Sequence, residues 1–353
     1  MIHRLILRYR VRRPPKTLRY EAQANTQGRP PRAASPVSSR RSGLRMPLRC
    51  PSLLEPPMTK TYMNVSEIPV LKPYFGRKTC LATKHGKEKV VARPFRHALG
   101  VEIMVPADLD TDSLGTFSNE IPRLGKPLDV CFQKARMGMA AAGLPFGIAN
   151  EGSFGPHPSM PFIASDYEII AFVDDERGFS IHETLFSLKT NYAHREVCGP
   201  VELDEWLQAV KFPSHGLIVQ PKSDNPQITA EKGIVSLAHL RAAIARATAR
   251  SERATALVAT DMRAHFNPTR MALIRRLAFR MARRLATPCP SCQAPGWGMT
   301  GQSKGLPCKE CGMPTEMILS EIFTCTACTH REERPRLDGL REAPIDRCPC
   351  CNP

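Results

Sequence analysis

From Thr79 onward, short apolar runs alternate with segments in which apolar residues recur at helical spacing. Such alternation predicts an α/β domain built on a mixed sheet. Strands are expected at 79–83, 101–105, 145–149, 168–173, 180–188, 216–219 and 254–259, and helices at 88–99, 128–142 and 202–210. A further helix starts at Ser236, whose side chain suits an N-cap, and ends near Arg250. Strand order and direction do not follow from the pattern. One more helix is marked at both levels: Asn267 caps it, Pro268 takes its first position, and Met271, Ile274, Leu277, Met281 and Leu285 form an apolar stripe.

Charge separates the chain into parts. Residues 1–57 carry thirteen Lys/Arg against Glu21 and Glu55, leaving 37 basic and 31 acidic side chains for the rest. An Arg-, Pro- and Ser-rich segment cannot bury enough surface to offset its ordering entropy, so a disordered tail is expected. Three explanations for it stay open: a transit peptide, a polyelectrolyte arm for nucleic acid, or an over-called start with Met58 or Met63 as the first residue. Residues 58–78 read as a linker, 79–260 as the α/β domain, 261–287 as an Arg-rich helix and 288–353 as a metal-bound module. No run reaches the ~18 apolar residues of a membrane span, and no secretory signal is visible. A soluble, cytoplasmic protein without membrane contact is expected.

The module is the most specific feature. Four Cys-x-x-Cys pairs occur in it: Cys289/Cys292, Cys308/Cys311, Cys325/Cys328 and Cys348/Cys351. Two cysteines three apart on a tight turn aim both thiolates at one ion, and two such turns complete a tetrahedral zinc site. The 15 residues between Cys292 and Cys308 and the 19 between Cys328 and Cys348 suit two consecutive zinc ribbons. A cross-braced pairing, first turn with third, has the same spacings available. Cys350 rivals Cys351, although Cys348-Pro-Cys-Cys351 repeats the Cys-Pro-x-Cys turn of Cys289-Pro-Ser-Cys292. With four thiolates per ion, no position is left for substrate, so both zincs are expected to be structural.

Candidate chemistry lies in three segments of the α/β domain. Thr83-Lys-His-Gly-Lys87 joins a strand to a helix, where backbone N–H groups, a hydroxyl, Lys84 and Lys87 suit a polyphosphate. Asp110–Phe117 precedes a helix carrying Lys134 and Arg136. Gly147-Ile-Ala-Asn-Glu-Gly-Ser-Phe-Gly155 delivers Glu151 and Ser153 into a small-residue turn, and Asp174 and Asp175 at the next strand's end are candidates to join Glu151 in holding Mg²⁺. A plainer reading leaves these carboxylates as strand ends and turn caps. Arg263, His265 and Arg270 are weaker candidates for closing over a substrate phosphate. Arg275, Arg276, Arg280, Arg283 and Arg284 on the last helix read as a solvated face, or as a surface for phosphate or RNA.

Across residues 79–353 the chain resembles a bacterial family described only as a domain of unknown function. The resemblance rests on Ala82-Thr-Lys-His-Gly-Lys87, Asn150–Pro158, Thr190–Arg195, Asp261–Arg270 and Cys348–Pro353. At greater distance, residues 80–175 resemble the inosine triphosphate pyrophosphatase superfamily, especially its inosine/xanthosine triphosphatase branch. A first strand with Ala-Thr, a polar loop, Thr-Phe, a helical Lys-Ala and a Gly-Ile-x-x-Glu-Gly strand occur in shared order. This resemblance implies that fold, with Lys84, Lys87 and Lys134 on phosphate and Glu151 on Mg²⁺. It also implies a base-reading role for His194 and Arg195, and release of a nucleoside monophosphate and pyrophosphate. His85 stands where that family has asparagine. The competing expectation is a non-catalytic zinc-ribbon adaptor for nucleic acid or the ribosome. A third is an assembly module with a remnant pocket.

Overall fold

Parallel strands need a crossover connection, and amphipathic helices supply it at the start of the fold. β1 (Lys78–Ala82), α1 (Glu88–Leu99), β2 (Glu102–Met104), α2 (Pro127–Ala142) and β3 (Phe146–His157) follow in turn. β2 and β3 flank β1 on opposite sides, both parallel to it. β4 (Met160–Asp174) returns antiparallel on β3, and β5 (Phe179–Ser187) on β4, giving a mixed sheet in the order β2-β1-β3-β4-β5. The computed structural model describes residues 72–107, 109–111, 125–198, 203–222 and 229–353, all within one compact unit. The basic tail, most of the linker and residues 112–117 of the Asp110–Phe117 segment lie outside the described residues.

The strands' alternation sorts their side chains onto two covered faces. On one face α1 and α5 (Pro268–Ala286) bury Phe95, Leu99, Ile274, Leu277, Met281 and Leu285 against Leu81, Ile148, Ile170 and Phe172. The stripe read on the last helix is therefore core of the first sheet, each such side chain contributing ~1.5–3 kcal/mol on burial. On the other face α2 sets Cys131, Ala135 and Met139 against Ala82, Ala149, Ile169 and Val173. Gly147 permits this close approach: a Cβ there would lie 2.5 Å from Met139 Cγ.

A second sheet follows in sequence. β6 (His194–Val197), β7 (Leu217–Pro221), β8 (Glu231–Ile234) and β9 (Ala256–Thr260) pair antiparallel in the order β6-β9-β7-β8. α3 (Asp204–Ala209) and α4 (Leu237–Ala249) share its core. Ser236 caps α4 by accepting the His239 N–H, as expected. Asn267 caps α5 through the Arg270 N–H, and its amide donates to Asn191 Oδ1, tying α5 to the segment before β6.

The last sheet, β10 (Gly298–Lys304), β11 (Ile318–Thr324) and β12 (Arg331–Pro335), is an antiparallel meander threaded between the cysteine turns. Among the described residues no helix is long and apolar enough to cross a membrane.

Candidate functional site

β1 ends at Ala82, level with Ala149, while β3 and β4 run on past it. The helices after β1 and after β2 cover opposite faces, so the carboxyl end of β1 is a topological switch point, where open α/β sheets bind ligands. Lys87 at the α1 N-terminus, Lys134 on α2, Asn150 and Glu151 on β3, Asp166 and Glu168 on β4, and Arg270 on α5 are all buried there. On the α2 face, Lys134 Nζ lies 2.5 Å from Glu151 Oε1. On the α5 face, Glu168 accepts from Arg270 Nε at 2.6 Å and from Asn150 Nδ2 at 2.8 Å, while Arg270 Nη1 donates to the Met262 carbonyl.

Lys87 joins the two halves. Where β1 stops, the Asn150 carbonyl has no strand neighbour on that side, and Lys87 Nζ donates to it at 2.7 Å. Burial and the nearby Arg270 guanidinium pull the Lys87 ammonium down to about 8, against the opposing pull of Glu151 and Glu168. Asp166 moves the other way. Burial and then the Glu168 carboxylate raise it to about 8, with Arg270 opposing. Gly152 fits over the Arg270–Glu168 pair, because a Cβ there would meet Arg270 Nη2 and Glu168 Oε1 at 2.6 Å.

Of the residues expected here from sequence, Lys87, Lys134 and Glu151 come together. Thr83 is buried beside them, its hydroxyl accepting the His85 N–H, and Ser153 is half-buried on β3. Lys84 pairs with Asp110 at 2.7 Å on the surface. Arg263 is held by Asp261, and His265 stacks on His85 at 5.1 Å, so the Asp261–Arg270 segment does close on the loop after β1. Arg270 is fully buried in its ion pair and supports β4 rather than an open surface. His194 and Arg195 lie on β6, an outer strand of the second sheet, and both are exposed.

Two expectations are corrected. Asp174 and Asp175 do not join Glu151, because Glu151 sits opposite Ile169 and Asp174 is five residues further along β4. At ~3.4 Å per residue that is roughly 17 Å away. There Asp174 accepts from Tyr74 and Arg177, and Asp175 pairs with Arg136, which removes Arg136 from the loop as well. Asn150, Asp166 and Glu168 were missed. The signal was a polar or charged residue at the edge of each apolar run, but their partner Arg270 is 102 residues from Glu168.

The cysteines form two tetrads, Cys289/Cys292/Cys325/Cys328 and Cys308/Cys311/Cys348/Cys351, each with its ligand atoms within 4.8 Å of one another. Four sulfurs at ~2.3 Å from a tetrahedral ion lie roughly 3.8 Å apart. The Cys289–Cys328, Cys292–Cys325 and Cys311–Cys348 separations of 3.9, 3.5 and 3.6 Å fit a zinc ion in each tetrad. The pairing is cross-braced, not consecutive, and the strands explain it. β10 carries the chain from the first turn to the second, β11 returns it to the third beside the first, and β12 leads away towards the fourth. Cys351 completes the second tetrad, and Cys350 stands outside it.

Residues 134–353 match the model of a family described as a domain of unknown function, DUF6671. The matched span holds Lys134, Glu151, Glu168, Arg270 and both tetrads, and begins after β1 and Lys87. A search of curated proteins returns no match.

Proposed function

The chain belongs to the DUF6671 family, and on that premise we propose, from the buried cluster, a Mg²⁺-dependent hydrolase acting on a nucleotide or similar phosphorylated small molecule. The finer form of the reading is a pyrophosphatase for non-standard nucleoside triphosphates. One observation carries it: Lys87, Lys134 and Glu151 converge at the carboxyl end of β1, beside the start of α1. Mg²⁺ uses one or two carboxylates and takes its other ligands from phosphate and water. Glu151 is the carboxylate for it, and the Lys134 ammonium, released from Glu151, would then serve a phosphate oxygen. Water adds to the α-phosphorus, the bridging α–β P–O bond breaks, and pyrophosphate leaves while the water proton passes to solvent.

The test is pyrophosphate release over standard and deaminated nucleoside triphosphates with Mg²⁺, using Glu151→Gln as control. Turnover that disappears in the variant supports the reading and names the substrate. Silence across the panel, or full activity in Glu151→Gln, ends it.

A second reading, a nucleic-acid adaptor, has one observation in its favour. Arg275, Arg276 and Arg283 are exposed on α5. Binding through them should weaken steeply with salt, with a log–log slope near −0.9 per duplex phosphate contact. Salt-insensitive or absent binding to duplex oligonucleotide rejects this role.

A further inference from the structure

Away from the buried cluster, a cleft of about 580 Å³ separates β5 from the cysteine module. That volume is within the range of ligand clefts, ~300–1,000 Å³. Its two long walls are of one kind. β5 is the edge of the five-stranded sheet, and β10, contributing Met299 to Gln302, is the edge of the three-stranded one. Two unpaired strand edges facing each other across a gap are the geometry into which an extended chain inserts.

The β5 edge is unusual in what it offers. The His182 carbonyl accepts from Arg284 Nη1 and the Thr184 carbonyl from Arg280 Nη1, so these two residues point away from β4. In an antiparallel strand the N–H and C=O of one residue point the same way. The outward N–H groups of His182 and Thr184 therefore face the cleft, while the carbonyls between them are engaged by guanidinium. This edge presents mostly donors, spaced two residues or roughly 6.8 Å apart. Charge points in the same direction. Arg280 and Arg284 share a single carboxylate, Glu183, at 3.1 and 2.9 Å, leaving one positive charge uncompensated beside the gap. A partly buried cation favours an anionic acceptor.

We propose that this cleft binds an extended, acidic polypeptide segment as an added strand between β5 and β10. Its backbone carbonyls accept from the His182 and Thr184 N–H groups, and an acidic side chain pairs with Arg280. The donor spacing is that of a strand repeat, which favours a peptide over a nucleic-acid backbone.

The test uses the full-length zinc-loaded protein and a fluorescein-labelled peptide of alternating Glu and Val, read by anisotropy. Proline is tolerated on an edge where its missing N–H faces outward, so Thr184→Pro removes one donor without touching the β4 ladder. Zinc content and thermal melting check that it folds. Thr184→Pro and Arg280→Gln are each expected to weaken peptide binding at least fivefold, and a Lys/Val peptide should not bind. Peptide binding that is absent, unchanged in both variants, or displaced by a short oligouridylate as readily as by unlabelled peptide would overturn the proposal. Capture by the basic tail would appear as binding unchanged in both variants.

Discussion

Arg270 Nε lies 2.6 Å from Glu168 Oε1, an ion pair between α5 and β4 in which neither side chain is exposed. Both charges were taken out of water, so the pair's net worth is small, while either charge left alone is costly. Glu168→Gln or Arg270→Gln is expected to lower unfolding free energy by ~3–5 kcal/mol, and Glu168→Leu/Arg270→Met to regain most of it. Denaturant unfolding of the four proteins measures this. A single variant as stable as the wild type would mean that the pair does not hold α5 to the sheet.

Zinc stoichiometry separates the cross-braced from the consecutive pairing. Cys292 and Cys325 belong to one tetrad, Cys308 to the other. Cys292→Ser/Cys325→Ser should therefore retain one zinc ion per chain, whereas Cys292→Ser/Cys308→Ser should lose both. Consecutive ribbons would give the reverse result. A colorimetric zinc assay after protein digestion reads it directly. Loss of the Cys289 site should also loosen the end of α5, because Arg284 Nε donates to the Gly296 carbonyl between that turn and β10.

Local features of the fold were legible in the sequence. α1 occupies 88–99 as expected, and the caps at Ser236 and Asn267 are made as read. These depend on neighbours within a turn. The features that were misread depend on distance. Strands expected at 145–149 and 168–173 are the halves of a hairpin running from Phe146 to Asp174, because polar residues such as Ser153 and Asp166 pair in it beyond the apolar runs. That extension is what separates Glu151 from Asp174. The tetrad pairing failed for a similar reason: the count of residues between cysteines is indifferent to whether the chain loops back or crosses to the other end as a strand. Likewise the Arg-rich helix looked uniform in sequence, yet Arg280 and Arg284 are bound to Glu183 and only part of the row is exposed.

The Lys87 ammonium sets an alkaline limit on anion binding. Only its protonated form attracts a phosphate, and it loses that proton at about 8 rather than near the ordinary lysine value. Affinity for pyrophosphate should be flat up to neutral pH and fall above about pH 8, by up to tenfold per pH unit. Lys87→Gln should bind more weakly at pH 7 and lack this step, which also cancels the ligand's own titration. Calorimetric affinities at pH 7.0 and 9.0 for both proteins are the measurement. An equal fall in the variant would remove Lys87 from the binding surface.

Asp166 predicts a stability change of definite sign. It is 1 % exposed, and its Oδ1 has no hydrogen-bond partner among the described residues. With its carboxyl raised from 3.8 to about 8, the folded protein holds a proton that the unfolded chain releases. Stability from this group is therefore full below pH ~4 and is lost progressively as pH rises through about 8. Asp166→Asn keeps the shape and cannot ionise, so the difference in melting temperature, variant minus wild type, should grow between pH 5 and 8. Each 1 kcal/mol corresponds to ~2–4 °C in a domain of 150–250 residues. Comparing the two proteins at each pH cancels the histidines, among them His215, whose lowered value makes stability rise with pH in the acid part of the window. A difference that stays constant from pH 5 to 8 would show that the Asp166 carboxyl ionises normally beside Glu168.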